Sequence, residues 1–282
     1  MKTNNYINEW KDYMRYNENL AQLSIDKYSS NVVKIAHTHD LINSRYFELA
    51  SIIKELRMAS MSLNTINNYI VSLKKYYSFL TDIEVIESNP SLKLRTFKIK
   101  KDDTKRRALN ETQVNKLLSI EKKNLRDECF ITLSLATGMR LNEICNVQLN
   151  NINYDTNEVT IIRKGGERRV LPINDKAMKS IDNYINNERP NVDSNYLFLS
   201  NQKTKLSNRS AERVAKKYLK LVTNDIELQH THTLRASFAS MAIKVTDINT
   251  VRELMNHKQI TTTQIYLDSS KESKRNATNN LF

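Results

Sequence analysis

Apolar residues return every three or four positions through the first eighty residues, the period of helices with one buried face. In "NYINEWKDYM" the repeat is Tyr6, Trp10 and Tyr13-Met14. In "SIDKYSSNVVKIAHTH" it is Ile25, Tyr28, Val32 and Ile35-Ala36, with Ser24 as the expected N-cap. A third helix is predicted through "SRYFELASIIKELRM". A fourth is predicted through "SLNTINNYIVSLKKYYSFL", with Leu63, Ile66, Ile70, Leu73 and Tyr77 on one face and Asn67, Asn68, Lys74 and Lys75 opposite. Asn89-Pro90 closes the pattern, because the residue before a proline is pushed out of the helical region.

The pattern changes twice further on. Residues 91–107, "SLKLRTFKIKKDDTKRR", have no clear period and one large aromatic, Phe97, and read as a linker. From Ala108 helical spacing resumes. Asn110 with Gln113 makes a capping-box signature. A helix through "RDECFITLSLAT" should end at Gly138, a residue suited to a left-handed terminus. Short β-prone runs follow at 152–154, 158–163 and 168–173, then helices at about 175–187, 207–222, 233–244 and 248–255, and a last short one from Thr261 or Thr262. The expected fold is mainly α with a small antiparallel β-sheet (α+β). Its expected division is a helical domain over 1–90, a linker over 91–107 and a second domain over 108–282.

Composition narrows the class. No run of about 18 apolar residues exists, and "MKTNNYINEWKDYM" has no apolar signal core, so a cytoplasmic protein without membrane association is expected. Cys129 and Cys145 lack metal-site spacing and are expected as buried thiols. The net charge is +13, and its placement matters more than its size. Residues 1–90 balance, residues 91–107 carry +6 and residues 108–282 carry +7. Such clustering points to a polyanion, most often nucleic acid, against the alternative of a solvated basic spacer. Lys74, Lys75, Lys100, Lys101, Arg106 and Arg107 are the candidate contacts outside the second domain.

The second domain has no phosphate-binding GxxxxGK loop, no HExxH and no carboxylate cluster for two metals. It has instead a set of cations and polar groups at turns. Arg140 follows Gly138 in "TGMR". Lys164 lies at the turn of "RKGGERRVLPI", where Gly165 and Gly166 suit a tight hairpin. Three more cations, Arg163, Arg168 and Arg169, flank that turn. His232 and Arg235 stand three apart in "HTLR", His257 follows Asn256, and Tyr266 comes nine residues after His257. Together these form an inventory for phosphoryl transfer without a metal or cofactor. Two guanidiniums can hold the non-bridging oxygens of a phosphodiester and stabilise the added charge of its transition state. A tyrosine can attack phosphorus and store the bond as an ester. A lysine can protonate the leaving oxygen.

Order and spacing carry a resemblance. "ATGMRLNEI", with Glu143 after Arg140, resembles the TGxR box of the tyrosine recombinases, or phage integrases. "RKGGERRVLPI" resembles their GKGxKxRxxPL hairpin, "HTLRASFAS" their HxLRHxFAT, and "LMNHKQITTTQIYLD" their LGHxxIxTTxxY. Residues 1–90 resemble their SAM-like four-helix core-binding domain, in the Xer-like two-domain form. Three positions depart: Asn256 and Arg163 replace glycines, and Ala236 replaces a histidine.

The resemblance implies a site-specific DNA recombinase whose two domains clamp a duplex carrying a specific recombination site. It implies Tyr266 as nucleophile of a 3′-phosphotyrosyl intermediate and Lys164 as general acid. Arg140 and Arg235 would hold the phosphate, with His232 as base or proton relay and His257 as a hydrogen-bond donor. Arg163, Arg168 and Arg169 would meet flanking phosphates. Four protomers would assemble on two DNA sites, with a second recombinase or accessory protein as a further possible partner. The tail 269–282, ending in Leu281-Phe282, would dock on a neighbouring protomer. The chemistry would serve integration, excision or dimer resolution. A type IB topoisomerase and a catalytically inactive DNA-binding protein on the same fold are the rival readings.

Overall fold

The structure is a computed structural model that describes residues 5–99, 108–162 and 166–255. The chain divides into two compact units, Met1–Asp102 and Asp103–Phe282.

The first unit holds four helices: α1 (Asn5–Tyr16), α2 (Gln22–Ala36), α3 (Tyr46–Met58) and α4 (Leu63–Asp82). Most of the periodic residues face inward, and Trp10, Met14, Ile25, Leu73, Tyr76 and Tyr77 are fully buried, but Leu63, the first residue of α4, is exposed. The Trp10 and Tyr76 rings meet edge to face at 5.1 Å, the arrangement their opposed quadrupoles favour. Ser62 starts α4 by accepting a hydrogen bond from the Thr65 backbone N–H.

Two local expectations differ from what is found. Helix α2 begins two residues before Ser24, with Ala21 as an uncapped N-terminus. A Gln22–Asp26 side-chain bond of 2.8 Å supports that first turn one helical repeat apart. The first part of the expected linker, residues 91–99, belongs to this unit. Ser91 and Leu94 are buried, and Phe97 packs against the helical core. The Asn67 amide holds the Phe97 backbone on both sides, donating to its carbonyl at 2.9 Å and accepting from its N–H at 2.8 Å. A primary amide offers both groups at the right separation, which lets one helix residue pair an extended segment that has no strand beside it.

The second unit opens with α5 (Glu111–Ser119), started by the expected Asn110–Gln113 box. Then follow α6 (Leu125–Thr137), α7 (Leu141–Cys145), β1 (Ile152–Asn153), β2 (Glu158–Ile162), β3 (Arg168–Pro172), α8 (Asp175–Asn187), α9 (Asn208–Leu219), α10 (Thr231–Ala242) and α11 (Ile248–Met255). Asn124, Asn174 and Ser207 each cap the helix they precede through the side chain. Helix α6 is the centre, with Cys129, Phe130, Ile131 and Leu133 buried. Both cysteines are buried and unpaired, and burial pushes the Cys145 thiol up to about 11. The strands form one antiparallel sheet in the order β1-β2-β3. Among the described residues no helix is long and apolar enough to cross a membrane.

Two junctions hold α10 and α9 to the rest. The buried Ser237 hydroxyl of α10 accepts from the Leu109 N–H at 2.9 Å and donates to the Thr233 carbonyl. The buried Asp127 at the start of α6 accepts from the Tyr218 hydroxyl at 3.0 Å and from Arg126 at 3.0 Å, which pins the end of α9.

Gly138 ends α6 in the left-handed region at φ 59°. A Cβ there would lie 2.3 Å from Cδ1 of Phe238 on α10. Gly166 also has a positive φ of 80°, but a Cβ there meets nothing within 4 Å. Both glycine-to-alanine changes carry a left-handed penalty of about 1–2 kcal/mol. Gly138→Ala adds displacement of a packed ring, so it should lower unfolding stability distinctly more than Gly166→Ala in a urea titration. Equal losses would show that the α6–α10 contact is loose.

Candidate active site

The site is built where α6 stops. Because Gly138 turns the chain, Arg140 becomes the N-cap of α7. Glu143, one turn on, accepts from the Arg140 backbone N–H at 2.8 Å and from its Nη1 at 3.1 Å. The Arg140 side chain is 40% exposed while that of Glu143 is 10% exposed. The carboxylate is thus the buried partner, and it steadies a guanidinium that still reaches the surface. Burial pushes the Glu143 carboxyl up. The Arg140 N–H, the Arg140 charge and side-chain bond, and then the Arg235 charge outweigh it and hold the group below its ordinary value.

Arg235 comes from α10 and is buried. Its Nη1 donates to the Gly138 carbonyl and its Nη2 to the Met255 carbonyl at 2.6 Å. One side chain therefore ties the end of α6 to the end of α11. A buried guanidinium must be matched by acceptors, and carbonyls at helix C-termini lack intrahelical partners. The structure thus brings Arg140 and Arg235 together around Glu143 and the Gly138 carbonyl.

His232 stands one turn before Arg235 on α10 and is exposed. It lines a 410 Å³ cleft with Arg209, Glu212, Arg213 and Lys216 of α9 and with Gln229, His230 and Thr231. These α9 cations were not anticipated. They were visible in "NRSAERVAKKYL" as positions 209, 213 and 216, spaced to share one helical face. The short helix α7 was not anticipated either, since five residues are too few to show a period.

The other expected cations divide. Arg168 is exposed on the outer side of β3. Arg169 donates to the carbonyls of Glu253, at 2.6 Å, and Leu254, so the structure gives it protein acceptors. Lys75 pairs with Glu18 at 2.5 Å and lies over the Tyr28 ring. Lys74 reaches the Leu92 carbonyl at 3.5 Å. Lys100, Lys101, Arg106, Arg107, Arg163, Lys164, His257 and Tyr266 lie outside the described residues, as do the expected helix from Thr261 or Thr262 and the tail.

Two arginines of the second unit, one at a helix N-terminus and one on a buried helix face, thus lie near one buried carboxylate. The architecture is shared with solved structures. A lambda integrase (75-356) dimer bound to a COC′ core site matches with a TM-score of 0.75 at 16% identity, covering 95% of this chain and 96% of that one. The XerH site-specific recombinase in a post-cleavage complex with palindromic difH substrate matches with a TM-score of 0.74 at 20% identity, covering 97% and 84%. At these identities the likeness establishes the fold. Sequence goes further: residues 107–273 match the phage integrase family. Tyrosine recombinase XerA of Pyrococcus horikoshii is 32% identical over 270 residues, covering 90% of this chain and 89% of that protein. The chain belongs to the phage integrase family, the tyrosine-type site-specific DNA recombinases.

The Glu143 shift has a stability consequence. A carboxyl held below its unfolded value contributes stability above that value, about 4.3, and loses it as pH falls through the lower folded value. Replacing the group removes that dependence. Glu143→Gln should therefore flatten the fall of the melting temperature with acidification below about pH 4.3. Identical acid limbs for the two proteins would show that Glu143 titrates as a solvated group.

Proposed function

We propose that this domain cleaves and rejoins DNA through Tyr266. The tyrosine oxygen attacks the scissile phosphorus, forming a 3′-phosphotyrosyl bond and expelling a 5′-hydroxyl. Lys164 supplies the proton that the leaving oxygen takes. The 5′-hydroxyl of a second duplex then attacks the ester and frees the tyrosine. The phosphoester bond is conserved at each step, so the exchange needs no nucleotide energy.

The single observation that carries this reading is the pairing of Arg140 and Arg235 around Glu143. A guanidinium carries five N–H donors in a fixed fork, so it can be anchored to carbonyls and also present donors to a phosphate. Two such groups, set before substrate arrives, stabilise charge that develops on the non-bridging oxygens. His232 would serve as base or proton relay beside them, and His257, two residues after Met255 in sequence, would donate to the phosphate. The cleft cations Arg209, Arg213 and Lys216, with Arg168 and the basic run 100–107, would follow the duplex backbone and supply salt-dependent affinity. The division into a core-binding domain and a catalytic domain fits a protein that holds DNA from both units. Assembly of four protomers on two specific sites, with the tail 269–282 docking on a neighbour, follows the same reading.

The test needs a site, which a binding selection from a random duplex pool supplies. On a nicked duplex carrying it, the protein should form an SDS-stable adduct. Tyr266→Phe should bind with unchanged affinity and form none. Lys164→Ala should slow cleavage by about 10²–10⁴, and a substrate with sulfur as the leaving atom should restore the rate because sulfur leaves without protonation. An adduct formed by Tyr266→Phe would assign the nucleophile elsewhere. No rescue by sulfur would reduce Lys164 to a phosphate contact.

A further inference from the structure

We infer that Arg169 is a positioning residue for strand cleavage, acting through the last turn of α11 and not through DNA. The inference rests on the reading of Tyr266 as nucleophile.

Strand parity carries the first part. On β3 alternate residues face opposite sides of the sheet. Leu171 is buried, Val170 and Arg168 are exposed, and Arg169 is half-buried on the Leu171 side. Its cross-strand partner on β2 is Ile161, which is 3% exposed. A cation that met DNA from this strand would be expected on the Arg168 side. Arg169 instead occupies an inner position where the alternation calls for an apolar residue.

Its partners carry the second part. The Arg169 Nη2 donates to the carbonyls of Glu253 and Leu254. The next carbonyl, that of Met255, is taken by Arg235. Three consecutive carbonyls at the C-terminus of α11 are thus held by two guanidiniums, one from the sheet and one from α10. Cations are favoured beside the carbonyls of a helix's last turns, so both contacts are favourable and both hold the last described turn of α11. From Met255, His257 is two residues away in sequence and Tyr266 eleven. Strand β3 begins at Arg168, four residues after Lys164, and Arg169 is five residues after it. Arg169 therefore joins the strand that follows the general acid to the helix that precedes the nucleophile. A displacement of about 1 Å at a reacting group can cost about 10²-fold in rate, so a link of this kind bears on chemistry without touching substrate.

The full chain with Arg169→Ala, Arg169→Gln and Arg169→Lys tests the inference with two readouts. In free protein, hydrogen exchange should rise over peptides from 248–266 in the Ala and Gln variants and stay unchanged over 5–99. On the selected nicked duplex at saturation, the single-turnover rate of adduct formation should fall by about 10- to 100-fold, with affinity and salt slope unchanged. Lysine can also donate to terminal carbonyls, so Arg169→Lys should recover much of both. Unchanged exchange with weaker binding and a salt slope smaller by about one contact would make Arg169 a phosphate ligand and overturn the inference. Exchange rising throughout the second unit, with no recovery by lysine, would make it a general structural residue and overturn it equally. An adduct persisting in Tyr266→Phe would fail the nucleophile assignment alone, since the exchange readout does not depend on it.

Discussion

One buried cation organises the second unit. Arg235 reaches from α10 to the carbonyl that ends α6 and to the carbonyl that ends α11. Taking a charge out of water is costly unless acceptors replace the water. Breaking such an arrangement by removing one partner costs about 3–5 kcal/mol. The Gly138 carbonyl that Arg235 uses lies at a helix end, where carbonyls lack helical partners, and Glu143 lies close enough to feel the Arg235 charge. The cation and the three chain ends around it are therefore mutually dependent. Gly138 must turn left-handed to present its carbonyl, and its lack of a Cβ lets Phe238 of the same α10 close over the turn.

From this junction the rest of the site follows by short steps. The turn at Gly138 makes Arg140 the first residue of α7, where Glu143 can hold its backbone and side chain together. Arg169 also grips the last described turn of α11, which precedes His257 and Tyr266 in sequence. The Asp127–Tyr218 bond fixes the end of α9, whose cations face the cleft beside His232. A reaction that develops negative charge on a phosphate gains most from cations that need not move when it occurs. Anchoring guanidiniums to buried carbonyls and a buried carboxylate is a direct way to make them immobile.

The helical framework was legible because burial imposes a 3.6-residue period, and Trp10, Leu73, Tyr77 and Ile131 obey it. The three short strands were legible from their β-prone runs, and Gly138 from the helix it had to end. The family motifs singled out Arg140 and Arg235, and the structure sets both near Glu143. What periodicity could not show is hydrogen bonding across the fold. Residues 91–99 look like a linker because the partner of Phe97 is Asn67, thirty residues away. Lys75 looks like a solvated cation until Glu18 stands beside it. Arg169 read as one of three equivalent charges at a hairpin. Strand parity, applied to "RRVLPI", separates it from Arg168, because 169, 171 and 173 share the inner face while 168 and 170 do not.

On the proposed reading, arginine charge fixed in advance stabilises the phosphate during cleavage. Replacing one non-bridging oxygen of the scissile phosphate by a methyl group removes the charge that Arg140 would meet on the proposed reading. The direct measurement is single-turnover cleavage by the intact protein and by Arg140→Ala, each on a phosphodiester and on the matching methylphosphonate. Arg140→Ala should lose a factor on the order of 10²–10³ on the phosphodiester, as for other preorganised donors, and little on the methylphosphonate. An equal loss on both substrates would contradict that reading, because Arg140 would then be holding the protein and not the charge.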